Sequence, residues 1–118
     1  MKHMKTLKFE KHLSEMILRG EKDVTWRLFD DKDLSVGDRV TCLVFGTLEP
    51  FATIVLREVR ETTLGELSPG DWDGHEKFQS EEEMYETYSR YARRPVDAST
   101  PVKVIRFEIE SKENTASV

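Results

Sequence analysis

The sequence predicts an α+β protein: a small, mostly antiparallel β-barrel with two flanking helices. Strand-like alternation recurs in five short segments, most of them joined by turns too short to hold a helix. Helical spacing occurs at only two crossings. The chain has 118 residues, 37% of them hydrophobic, which is enough for one core and not for two. The expected domain covers residues 5–110, with flexible termini at 1–4 and 111–118.

Thr6-Leu7-Lys8-Phe9 alternates and predicts a short first strand. Phe9, Leu13, Met16 and Ile17 then recur at helical spacing, so a helix is expected from about Glu10 to Arg19, closed by Gly20. Val24, Trp26 and Leu28 alternate with Thr25 and Arg27, giving a strand with two chemically different faces. Leu34 to Asp38 is a turn into a strand over Arg39–Phe45. Gly46 to Pro50 closes a hairpin onto a further β-rich run, Phe51–Arg60. Pro69 to Gly74 is dense in turn formers and reads as irregular. Ser80 with Glu83 begins a capping box, and the helix after it places Met84, Tyr88 and Tyr91 on one face until Pro95. The closing strand is expected over Val102–Ile109.

Composition excludes several function classes. One cysteine, Cys42, rules out a disulfide framework and a cysteine-rich zinc site, and it reads as a small core residue. His3, His12 and His75 lie far apart with no carboxylate cluster at ligand spacing, so no metal and no cofactor are expected. No apolar run reaches membrane-spanning length, and Met1 to Lys5 lead into no apolar core of signal-peptide length, so a cytoplasmic protein without a membrane partner is expected. The net charge is −5. Nine Lys and Arg balance nine Asp and Glu over residues 1–50, whereas nine face fourteen over 51–118. Such a chain is not a nonspecific nucleic-acid coat, although a local basic cleft is compatible with it.

The densest chemistry lies in Gly20-Glu21-Lys22-Asp23-Val24-Thr25-Trp26-Arg27. Thr25 and Arg27 leave the strand on the same face, and Lys22 stands at its entrance. A hydroxyl nucleophile needs a base, and a lysine serves if desolvation or a neighbouring cation lowers its pKa. A guanidinium holds a phosphate or a developing oxyanion. The alternative is a solvated strand face decorated with Lys and Arg.

The frame Gly-x-Lys-x-x-Thr-x-Arg, followed by the Leu-x-x-Gly-Asp turn at Leu34 to Asp38, resembles the ASCH superfamily of PUA-like β-barrels. The strand–turn–strand after Asp38, the acidic-capped helix at Ser80 and the closing strand come in that family's order, over about residues 5 to 110. The resemblance implies a cleft between barrel and helices that takes RNA or a modified nucleoside. The branch it resembles most is that of the small bacterial N(4)-acetylcytidine amidohydrolases. For that branch the resemblance implies Lys22, Thr25 and Arg27 as site residues, with a later glutamate. Many other ASCH domains have glutamate where Thr25 stands. Aligning the second helix without a gap puts Lys77 at the glutamate position. A shift of one residue puts Glu76 there, and Glu81 is a further alternative that the N-cap turns toward solvent.

The implied roles are base for Lys22, nucleophile for Thr25, proton donor to the leaving amine for Glu76, and oxyanion or substrate contact for Arg27. Trp72, in an acidic loop, is a candidate platform for a base or else a buried loop anchor. His75, beside the candidate glutamate, is a candidate cleft residue or else an exposed loop histidine. Arg90, Arg93 and Arg94 suit the C-terminal dipole of the second helix or a basic edge for phosphates. Three functions compete: an amidohydrolase, an RNA-binding module without chemistry, and a ribonuclease variant of the same fold. The hydrolase requires a carboxylate within reach of Lys22 or Thr25. The binding module requires a positive groove joining Arg27 to the arginines of the second helix.

Overall fold

Leu7 and Phe9 are buried on either side of exposed Lys8 and give the first strand, β1 (Lys5–Phe9). The computed structural model describes residues 5–29 and 32–112; of the termini expected to be flexible at 1–4 and 111–118, residues 1–4 and 113–118 lie outside them, while Ser111 and Lys112 belong to the last strand. Helix α1 (Lys11–Leu18) buries Leu13 and Ile17 one turn apart. It ends in a Schellman motif: Glu21 N donates to Met16 O at 2.8 Å and Gly20 N to Ile17 O at 3.0 Å, with Gly20 at φ +78°. This reversal delivers Lys22 to the start of β2 (Val24–Leu28).

The chain continues through β3 (Arg39–Val44), β4 (Pro50–Thr63), a 3₁₀ turn (Leu64–Glu66), α2 (Pro69–Trp72), α3 (Glu81–Ala92) and β5 (Pro101–Lys112). Two strands outrun their expected ends, β4 by three residues beyond Arg60 and β5 by three beyond Ile109. The stretch Pro69–Gly74, expected to be irregular, contains one helical turn. Ser68 N donates to Asp71 Oδ2 at 2.9 Å and so caps it. At α3 the Ser80 hydroxyl accepts from Glu83 N at 3.1 Å, while the Glu83 carboxylate returns to Gln79 N at 2.9 Å, one residue earlier than a capping box places it.

The five strands form one sheet in the order β1-β3-β4-β5-β2. β1 runs parallel to β3, and the other three pairs are antiparallel. Register shifts fall in the β3/β4 and β4/β5 pairs, at Cys42/Leu43, Thr53/Ile54 and Leu56/Glu58. Such bulges bend a long strand and curl the sheet. The curled half-barrel with its two main helices has its end strands, β1 and β2, facing each other across a gap. The Arg27 guanidinium spans it, donating from Nη2 to Lys8 O at 2.8 Å.

Among the described residues the interior has two apolar clusters. One joins β1, α1, β3, β4 and part of β5 through Leu7, Ile17, Cys42, Ile54, Leu56 and Phe107. The other packs α3 against β2 and β5 through Val24, Trp26, Met84, Tyr88 and Val104. Burial pushes the Cys42 thiol up to about 12, so it behaves as a small hydrophobe. The loop after α2 is tied to the start of β2: Gly74 O accepts from Asp23 N at 2.9 Å and Val24 N at 3.3 Å. Gly74 sits at φ +87°, and a Cβ there would collide with the Asp23 carboxylate. No helix among the described residues is long and apolar enough to cross a membrane.

Candidate active site

Lys22 leaves the α1 turn and points inward. Its side chain is only 1% exposed. Nζ donates to Val24 O at 2.6 Å and to the Glu76 carboxylate, which comes from the loop before α3. Burial lowers the Lys22 pKa, and the Arg27 charge lowers it further. The Glu76 charge and hydrogen bond oppose the shift, as does the Asp23 charge. A lysine in this setting keeps a proton less firmly than one in water.

Thr25 is also buried, and it shares a cleft with Lys22, Arg27 and Glu76. Its Oγ1 accepts from Arg27 Nε at 3.1 Å. The same guanidinium lies 4.5 Å above the Phe9 ring. This arrangement has a chemical consequence. A hydroxyl oxygen that accepts from a guanidinium keeps its own proton to donate, and negative charge developing on that oxygen is stabilised.

The cleft has a volume of about 720 Å³ and lies between the half-barrel and α3. Among the described residues, Lys8, Lys22, Arg27, Arg90 and Arg93 line it against Glu10 and Glu76. Lys8, Arg90 and Arg93 have no carboxylate partner among the described residues, whereas Arg19, Arg39, Arg57, Arg60 and Arg106, outside the cleft, are ion-paired. A chain with a net charge of −5 therefore has a cationic cleft. Phe45 and Tyr91 add exposed aromatic surface to its wall.

Each candidate from the sequence has a definite place. Lys22, Thr25, Arg27 and Glu76 come together. Lys77 does not join them; it is exposed and its ammonium reaches Trp72 O. Glu81 is exposed in the first turn of α3. Trp72 and His75, expected to touch a ligand, are not among the residues lining the cleft. The Trp72 ring packs edge-on against Trp26, with centroids 4.7 Å apart, because the docked α2 turn directs it into the second apolar cluster. His75 is buried behind Glu76 rather than exposed, its ring stacked on Trp26 at 3.6 Å. Sequence reasoning gave Lys8, Glu10 and Phe45 no role in the cleft. The pleat at Leu7 and Phe9 puts Lys8 on the outer face, and nothing local shows that its carbonyl and the Phe9 ring meet Arg27.

No protein-family model matches the sequence, and no match is found among curated proteins. Solved structures do match. The Enterococcus faecalis V583 protein EF3133, described as a DUF984 member, superposes with a TM-score of 0.74 at 15% identity, over all of this chain and 87% of that one. The ASCH domain from Lactobacillus crispatus JV V101 gives 0.70 at 15% identity, over 91% of this chain and 80% of that one. The ASCH protein of Zymomonas mobilis gives 0.65 at 11% identity, over 91% and 68%. With its curled five-stranded sheet, its two main helices and these neighbours, the chain has the ASCH-type, PUA-like α+β fold.

Proposed function

We propose that the protein hydrolyses the amide of an N(4)-acetylated cytidine, releasing cytidine and acetate. The observation that carries this reading is the buried ion pair of Lys22 and Glu76 in the same cleft as Thr25 and Arg27. Burial lowers the Lys22 pKa, so the ammonium can pass its proton to Glu76, and the neutral amine so formed takes the Thr25 proton. The Thr25 oxygen attacks the acetyl carbonyl, with the Arg27 guanidinium stabilising the oxyanion. The tetrahedral intermediate collapses with cleavage of the C–N bond. Glu76 relays the proton from Lys22 to the exocyclic nitrogen, which leaves as the amine of cytidine. Water then attacks the acyl-threonine, releases acetate and returns the proton to the hydroxyl.

A second reading is a module that binds RNA without chemistry. The observation favouring it is the excess of cations along the cleft from Arg27 to Arg90 and Arg93, since phosphates supply the charge such a rim attracts. A ribonuclease variant of the fold ranks third. Incubation with N(4)-acetylcytidine and chromatography for cytidine separates the readings. Cytidine released by the wild type, and lost in Thr25→Val and Lys22→Met, supports the hydrolase. No release at high protein concentration, together with salt-sensitive RNA binding, overturns it in favour of the module.

A further inference from the structure

Glu76 stands on the stretch between α2 and α3, where neither helix nor strand fixes its main chain. The neighbouring His75 is 3% exposed, and both of its ring nitrogens are occupied. Nδ1 lies 2.8 Å from Glu76 O and 3.4 Å from Glu76 Oε1. Nε2 lies 3.0 Å from the Tyr88 hydroxyl. A backbone carbonyl can only accept, so Nδ1 carries the ring proton. Nε2 is then the acceptor, and the Tyr88 O–H donates to it. The ring lies flat on Trp26, 15° from parallel. Burial, followed by the Lys22 charge, pushes this imidazole down to about 2. A neutral ring therefore stands beside the ion pair and adds no cation to the Arg27 charge that already acts on Lys22.

We propose that His75 is a positioning residue: its neutral Nδ1–H tautomer anchors the main chain of Glu76 so that the carboxylate meets Lys22, while Tyr88 and Trp26 hold the ring. The kinetic part of this assignment rests on the hydrolase reading; the anchoring part rests on the hydrogen bonds alone. The groups facing the imidazole are Glu76, Lys22, Lys77 and Tyr88. None of them needs to change charge near neutrality for the anchor to hold.

Three variants test it. His75→Phe keeps a ring on Trp26 and removes both nitrogens. His75→Asn restores an N–H close to the Nδ1 position. Tyr88→Phe removes only the donor to Nε2. On N(4)-acetylcytidine, His75→Phe is expected to lower kcat about 30-fold with KM within about twofold, because a carboxylate displaced by an ångström costs turnover rather than binding. His75→Asn is expected to return kcat to within about threefold of the wild type, and Tyr88→Phe to lie between the two. Imidazole ¹⁵N spectra of the wild type are expected to show Nδ1 protonated, Nε2 bare and no titration between about pH 5 and 8.

The proposal is overturned if folded His75→Phe keeps its kcat, if only KM changes, if His75→Asn is as slow as His75→Phe, or if the ring is protonated at Nε2 or titrates in that range. If the wild type releases no cytidine, the hydrolase reading falls instead. The ¹⁵N tautomer and amide exchange over residues 74–78 then decide the anchor: the proposal requires the Nδ1–H form and faster exchange in His75→Phe, and their absence overturns it.

Discussion

Around β1, α1, β3 and β4 the interior includes Leu7, Leu13, Ile17, Val40, Cys42, Ile54 and Leu56, and its rings among the described residues are Phe9, Phe51 and Phe107. Between β2, β5 and α3 the rings of Trp26, Trp72 and Tyr88 join Val24, Leu64, Met84, Val102 and Val104, and the region admits His75 and Lys22. The first region holds hydrocarbon, a silent thiol and the hydroxyl of Ser14. The second buries titratable groups, each with a hydrogen-bond partner: Lys22 on Glu76 and Val24, His75 on Tyr88 and Glu76, Asp71 on Ser68 and Arg60. No buried side-chain nitrogen or oxygen lacks a partner among the described residues. The difference separates two tasks. The aliphatic region supplies cohesion, and the aromatic region holds charged groups out of water without leaving any unpaired.

The contrast can be broken most sharply in the aliphatic region. Phe107→Ala removes a fully buried ring and should cost about 4 kcal/mol in denaturant unfolding, with little change in the activity of the molecules that remain folded. In the aromatic region Glu76→Ala should cost about 3 kcal/mol, because it strands the buried Lys22 ammonium. The double variant Lys22→Met/Glu76→Leu should recover most of that stability while losing activity; a double variant no more stable than Glu76→Ala would show that the pair itself holds the fold.

The third test is pH. Folded His75 titrates at about 2 against an ordinary 6.5, so below 6.5 the unfolded chain takes up a proton that the folded chain refuses. Stability therefore falls as pH falls through that window, by up to about 1.4 kcal/mol per pH unit, and between about pH 6.5 and 5 the slope should flatten in His75→Phe. The smallest expected effect lies at the rim. Arg93 ends α3 in the left-handed region, at φ +58°. Arg93→Gly should raise stability by about 1 kcal/mol and weaken the binding of an anionic oligonucleotide, which titration at two salt concentrations would measure.

Much of this arrangement is legible in the sequence, because its signals are local. The alternation of Val24, Trp26 and Leu28 places Thr25 and Arg27 on one face, and Gly20 marks the turn that brings in Lys22. Strand parity and capping chemistry are read within a few residues. What lay beyond reach depends on partners distant in sequence. His75 and Trp72 sit on a loop with no periodicity, and their burial follows from Gly74 O docking on Asp23 and Val24 and from Arg106 holding Gly70 O and Asp73 O. The parallel pairing of β1 with β3 joins strands some thirty residues apart, and alternation alone does not show the direction in which two strands meet. Glu76 was one of three positions for the carboxylate. The loop's docking, rather than any helix spacing, brings Glu76 and not Lys77 or Glu81 to Lys22.

The bond from Arg27 to Lys8 O occupies a place where a closed barrel would have a ladder of main-chain bonds. Among the described residues the Arg27 side chain thus clasps the seam, and Lys32, just beyond β2, adds a second tie to β1 at Thr6 O. The Arg27 side chain also touches Thr25 and faces the cleft. A ligand that draws the guanidinium toward itself competes with the clasp, so occupancy of the cleft and breathing of the seam are linked in one equilibrium. Exchange of the amides along β1 and β2 is therefore a reporter of what the cleft holds, even for a ligand that undergoes no reaction.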